Sequence, residues 1–230
     1  LSYETTKEVT TNGTYYISVK DAYEHITTKS IVINNVDDIE PSIESLISSS
    51  EWSTTSNQVT AILKDEESGL SGYQVTKENT EPTEWISITG NSYSLNYEAT
   101  ENGTYYVWVK DTANIIYSTS IEVNRIDNIP PIVNYTTTST NTSITVNASS
   151  STDEGSGIKT YYYSRDNGSS WYSSTASSYT FTGLTEGTTY QISVKVEDNA
   201  GNESEKMDKN VFTLQQSTAY ILATADPAEL

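Results

Sequence analysis

The chain has 230 residues, with 31 acidic against 12 basic side chains, one His, no Cys and a formal net charge of −19. That charge repels nucleic-acid phosphates, which are bound through Lys and Arg, and repels anionic membrane surfaces, so neither nucleic acid nor direct membrane contact is expected. The missing cysteine removes disulfides, Cys-ligated zinc and thiol nucleophiles, and no apolar run approaches the roughly 18–20 residues that span a bilayer.

In chain order, the first strand signal is Asn12-Gly13-Thr14-Tyr15-Tyr16-Ile17-Ser18-Val19-Lys20-Asp21, a turn followed by alternating apolar residues. Residues 1–40 read as the last strands of a sandwich, leaving an apolar face and a strand edge bare. The expectation is that earlier strands, any export signal and any anchor lie outside this sequence. His25, the sole histidine, falls in the hairpin after Asp21 and makes a poor general base for a serine triad.

The linker Val36-Asp37-Asp38-Ile39-Glu40-Pro41 comes next. Proline cannot donate to a ladder, so Pro41 ends one sheet before the next begins. Val59, Ala61 and Leu63 alternate, and an acidic loop, Asp65-Glu66-Glu67-Ser68-Gly69-Leu70, follows. The first segment then returns 90 residues on, as Asn102-Gly103-Thr104-Tyr105-Tyr106-Val107-Trp108-Val109-Lys110-Asp111. Here Tyr105, Val107 and Val109 point one way and Tyr106, Trp108 and Lys110 the other. The linker also returns, as Ile126-Asp127-Asn128-Ile129-Pro130-Pro131.

The remaining sequence repeats the pattern. Asp153-Glu154-Gly155-Ser156-Gly157-Ile158 parallels the loop at Asp65, Trp171 parallels Trp85, and Tyr179-Thr180-Phe181 parallels Tyr93-Ser94-Leu95. Gly187-Thr188-Thr189-Tyr190-Gln191-Ile192-Ser193-Val194 is a diverged third copy of the strand at Gly13 and Gly103. Short strands punctuated by turns predict an all-β sandwich architecture. The expected modules are residues 1–40 (the end of one sandwich), 41–129, 130–215, and 216–230 as a linker or the start of another module.

Two resemblances follow from these residues. Gly183-Leu184-Thr185-Glu186-Gly187-Thr188-Thr189-Tyr190 resembles the end of the E–F loop of fibronectin type III domains, with Glu186 where that family has proline. The resemblance implies that Tyr190 forms a tyrosine corner, its hydroxyl bonding back to upstream backbone. The segment Asn102-Gly103-Thr104-Tyr105 with Val109-Lys110-Asp111-Thr112-Ala113-Asn114 resembles the immunoglobulin-like repeats of bacterial surface proteins. Together they imply tandem immunoglobulin-like and fibronectin type III-like β-sandwiches in an extracellular setting.

The chemistry on offer is limited. Asp37, Asp38, Asp65, Asp111 and Asp127 are the calcium candidates, because calcium takes six to eight oxygens and linker acids can meet hairpin acids. The competing expectation is that these acids sit in solvated turns, where Asp bonds its own backbone; calcium would then shift melting by a few degrees at most. A Lys64–Asn124 isopeptide bond needs both side chains buried, whereas Lys and Asn are mostly exposed. Tyr16, Tyr106 and Trp108, or Tyr161–Tyr163 with Trp171 and Tyr172, form either a sugar- or protein-binding platform or ordinary packing, and packing is the expectation. The functional expectation is a non-catalytic spacer, with an adhesive role toward a host or cell-surface protein or glycan, in a bacterial surface protein. Further modules of the same chain are its other partners. The alternatives are a phage virion module and an accessory segment of a large secreted glycosidase.

Overall fold

The computed structural model describes residues 5–216. Residues 217–230, most of the stretch read as a linker or further module, lie outside the described residues, as does Tyr3. The described residues form sixteen strands and no helix. The chain divides into two compact units, Leu1–Glu51 with Ser56–Arg125, and Trp52–Thr55 with Ile126–Leu230.

The first unit begins with a hairpin of β1 (Gly13–Lys20) and β2 (Ile26–Ile33) that forms its own two-stranded sheet. A sandwich follows. One sheet orders β3 (Ser42–Ser48), β4 (Asn57–Lys64) and β7 (Ser92–Ala99). The other orders β6 (Ile86–Ser87), β5 (Leu70–Thr76), β8 (Gly103–Asp111) and β9 (Ile116–Val123). All the ladders are antiparallel. Every second residue faces inward, so Val59, Ala61, Leu63 and Leu95 from one sheet share a core with Tyr105, Val107 and Val109 from the other.

The second unit repeats this plan. Its first sheet orders β10 (Thr136–Ser139), β11 (Ser143–Asn147) and β14 (Ser178–Thr182). Its second orders β13 (Tyr172–Ser174), β12 (Ile158–Ser164), β15 (Thr189–Asp198) and β16 (Met207–Phe212). Tyr135, Ile144, Val146, Tyr163, Phe181, Ile192 and Val194 fill the core. Both units therefore pack a three-stranded sheet on a four-stranded one with the same strand order. This is the all-β, tandem immunoglobulin-like and fibronectin type III-like architecture expected from the repeats.

The tyrosine corner is present, and more than once. The Tyr190 hydroxyl accepts from the Thr185 N–H at 2.9 Å. Tyr105 donates its hydroxyl to the Glu101 carbonyl and Tyr15 donates to the Thr11 carbonyl, each at 2.8 Å. The resemblance implies the corner at Tyr190, and the repeated strands that carry Tyr15 and Tyr105 make the same kind of bond.

Candidate metal centre

Several of the acids bond turn backbone as expected but are not solvated. Asp65, Asp111, Asp127 and Asp198 are all buried, and Asp111 and Asp198 have no exposed surface. Strand and loop geometry gathers them into two groups of three. A carboxylate oxygen from each of Asp37, Asp65 and Asp111 lies within 4.8 Å of the others, and Asp127, Asp153 and Asp198 form the same arrangement in the second unit. Of the five candidates, Asp37, Asp65 and Asp111 are brought together and Asp127 belongs to the second group. Asp38 is exposed and lies outside both groups.

Each group is built by one set of local bonds, made twice. Asp37 sits in the linker before β3 and accepts the N–H of Ile39 at 3.1 Å and of Ser68 at 3.2 Å. Asp127 sits before β10 and accepts the N–H of Ile129 at 3.1 Å and of Ser156 at 2.6 Å. Asp65 closes the loop after β4 by accepting the Gly69 N–H at 2.6 Å, and Asp153 accepts the Gly157 N–H at 2.5 Å. Gly69 (φ +84°) and Gly157 (φ +80°) take the left-handed conformation that glycine adopts without strain. A register shift then follows in both copies, between Leu70 and Gly72 and between Ile158 and Thr160. These β-bulges sit beside the acids and re-aim the strand start, as bulges next to functional sites do.

The third acid ends the long central strand. Asp111 Oδ1 accepts the Ile115 N–H at 2.8 Å, and Asp198 Oδ1 accepts the Asn202 N–H at 2.8 Å. The two copies differ at the other oxygen. Asn202 Nδ2 donates to Asp198 Oδ2 at 2.7 Å and to the Asp127 carbonyl at 2.9 Å. In the first unit that side chain is Ile115, and Asp111 Oδ2 is buried with no hydrogen-bond partner. Burial pushes the Asp111 carboxyl above the usual carboxylate range, with the Asp37 and Asp65 charges adding to the rise. Glu67, exposed beside Asp37, is also raised, by desolvation first and then by the charges of Asp37 and Asp38.

A second difference lies in the loop. A Cβ on Gly155 would overlap the Asp127 carboxylate where it now stands, so a side chain there would displace that carboxylate, whereas the first unit has Glu67 at the matching position. The donor set in each group is all oxygen, which suits calcium or magnesium and not the softer transition metals.

The remaining candidates divide between packed and exposed side chains. Lys64 pairs with Glu44 at 2.9 Å and Asn124 is exposed, so the buried environment an isopeptide bond needs is lacking. Trp108 is buried and donates its indole N–H to Thr76 at 2.9 Å. One ring face of Trp85 is covered by Lys110 at 4.7 Å, and one of Trp171 by Lys195 at 5.5 Å. Tyr163 is buried, donates to the Ala176 carbonyl at 2.9 Å and stacks on Tyr179. Tyr16 and Tyr172 remain exposed. His25 pairs with Asp21 at 2.9 Å on the open hairpin.

No protein-family model matches the chain. Exoglucanase B of Cellulomonas fimi is 33% identical over a stretch covering 82% of this chain and 18% of that protein, so the chain spans less than a fifth of its relative's length. Among solved structures, a multi-domain segment of titin aligns over 89% of this chain and 75% of its own, at 14% identity and a TM-score of 0.48. The fibronectin(III)-like modules of CbhA from Clostridium thermocellum align over 79% of this chain and 99% of theirs, at 14% identity and a TM-score of 0.37.

Proposed function

We propose that this chain is a non-catalytic, extracellular modular segment that spaces other domains within a large exported protein, in the manner of an accessory region of a polysaccharide-degrading enzyme. The observation that carries the reading is repetition: one sandwich plan and one arrangement of three acids, made twice in succession, each beside a tyrosine hydroxyl bonded to upstream backbone. Repeated sandwiches host many roles, so fold alone does not choose among them. The similarity to part of an exoglucanase favours the enzyme-borne setting over a surface adhesin or a virion. The Trp85 and Trp171 rings, each with a lysine over one face, favour structure over a sugar-stacking platform.

The test is direct. The full chain is incubated with insoluble cellulose and xylan, and with soluble glucans, and both retention and released reducing sugar are measured. The spacer reading expects the protein in the supernatant and no sugar release. Saturable retention on a polysaccharide would replace it with a binding role, and reducing-sugar release with a catalytic one.

A further inference from the structure

We propose that the first unit holds a calcium-type divalent cation between the carboxylates of Asp37, Asp65 and Asp111, and that in the second unit the Asn202 amide stands where the cation would bind. The inference is independent of the spacer reading, because it concerns side chains within each unit. It rests on three observations.

The first is the orphaned oxygen. Asp111 is 0% exposed and its Oδ2 has no partner. Buried polar atoms are nearly always hydrogen-bonded, and a buried carboxylate oxygen left alone is among the costliest exceptions. Its neighbours are two further carboxylates, which cannot donate unless one of them takes up a proton. A cation satisfies all three at once. The adjacent ammonium, Lys64, is committed to Glu44.

The second is span. The three carboxylate oxygens lie within 4.8 Å of one another. Oxygens bound to one calcium at about 2.3–2.6 Å stand no more than about 5.2 Å apart, so the group fits a shared ion without rebuilding the backbone. Calcium takes six to eight oxygens from flexible loops, so second oxygens of the same carboxylates, the neighbouring Glu67 and water complete the shell. Magnesium, at about 2.0–2.1 Å in a strict octahedron, matches a set drawn from a linker, a loop and a strand end less well.

The third is the internal control. The two units share the N–H bonds to every acid of the group, and the copy that differs supplies a protein donor at the equivalent oxygen. Asn202 Nδ2 bonds Asp198 Oδ2 at 2.7 Å and the Asp127 carbonyl at 2.9 Å. Turning the amide over would set its oxygen against two acceptors, so the donor orientation is the one both partners select. Ile115 in the first unit offers no such group.

The experiment is calorimetric titration of calcium chloride into the chelator-stripped full chain, with thermal melting in parallel and near-ultraviolet dichroism to check folding. The expected result is one calcium per chain, with a dissociation constant in the extracellular-module range of about 10⁻⁴ to 10⁻³ M. Asp111→Asn should weaken binding at least about tenfold, a loss typical of altering a metal's surroundings. Asp198→Asn should leave binding unchanged. Ile115→Asn, which copies the second unit, should weaken calcium binding while raising the melting temperature of the calcium-free protein. If Asp111→Asn fails to fold, Asp65→Asn and Ile115→Asn carry the same test. Absence of both heat and a melting shift at millimolar calcium would overturn the site. Two equivalent calcium ions, one lost with Asp111→Asn and one with Asp198→Asn, would overturn the role given to Asn202.

Discussion

The hairpin β1–β2 and the hairpin β8–β9 are two copies of one segment with opposite fates. Their registers match: Gly13 faces Ile33 as Gly103 faces Val123, and Lys20 faces Ile26 as Lys110 faces Ile116. Their turns match, with Glu24 (φ 72°) and Asn114 (φ 68°) in the left-handed region and an aspartate bonding the turn backbone. Yet Ile17 and Val19 are 63% and 67% exposed, while Val107 and Val109 are fully buried. Pairing, turn and tyrosine corner are therefore written locally. Burial of the second copy is supplied by the opposing sheet β3–β4–β7.

The largest expected effect comes from truncating a buried aromatic of the second copy, set against an exposed apolar residue of the first. Tyr105→Ala should cost about 3–5 kcal/mol in urea unfolding, as large-to-small aromatic core changes do. Ile17→Ala should stay within about 0.5 kcal/mol, as exposed substitutions do. A comparable loss at Ile17 would mean that the hairpin buries this face after all.

Removing only the hydroxyl is a finer cut. Tyr105→Phe should cost about 1 kcal/mol, the net value of one intramolecular hydrogen bond, and Tyr190→Phe should match it. Tyr15→Phe, in the exposed copy, should leave the unfolding midpoint unmoved.

A smaller gain is expected at the turns. Asn tolerates the left-handed conformation better than Glu, because its short side chain bonds locally. Glu24→Gly should therefore slow amide exchange in β1 and β2 by more than Asn114→Gly does in β8 and β9, with each gain under about 1 kcal/mol.

The subtlest difference is electrostatic. Asp21 is held below the ordinary aspartate value, first by its hydrogen bond to the His25 side chain and then by the His25 N–H. Its contribution to stability is thus present above the unfolded value of 3.8 and is lost as pH falls through the lower folded value. Asp111, at the matching position, is raised by burial, so its ionisation opposes folding above the folded value, and that cost vanishes as pH falls below 3.8. Carboxyl-carbon NMR titration of the calcium-free protein should place the two residues on opposite sides of 3.8. Finding both on the same side would erase the contrast.

The strands were legible because a period of two over Tyr105–Val109 or Ile192–Val196 needs only neighbouring residues to be seen. The repeated loops at Asp65 and Asp153 were legible for the same reason. Linker, loop and strand-end acids were legible as calcium candidates, but which of them meet was not. Asp37, Asp65 and Asp111 come from a linker, a loop and a strand end, and each has a sufficient local reason to be aspartate in the backbone N–H it accepts. Only the closed sandwich brings them together. Asp38 carries the same letter beside Asp37 but falls on the exposed side of the linker, and nothing short of the fold distinguishes the two. Trp108 lies on the face opposite Val107, as its place in the alternation predicts, yet it is buried there, with its indole N–H satisfied by Thr76.

The glycine at position 155 has a consequence for how such repeats change over time. The loops beginning at Asp65 and Asp153 agree in Asp, Glu, Ser and Gly, so they look like interchangeable cassettes, the kind of near-identical stretch where duplicated genes exchange sequence. They are not interchangeable. A crossover that carried the first loop into the second module would press a side chain against the Asp127 carboxylate, while the reverse exchange would delete Glu67 from beside the Asp37 group. Sequence exchange at this loop therefore has a different cost in each direction: a displaced Asp127 carboxylate in one module, a lost acid in the other.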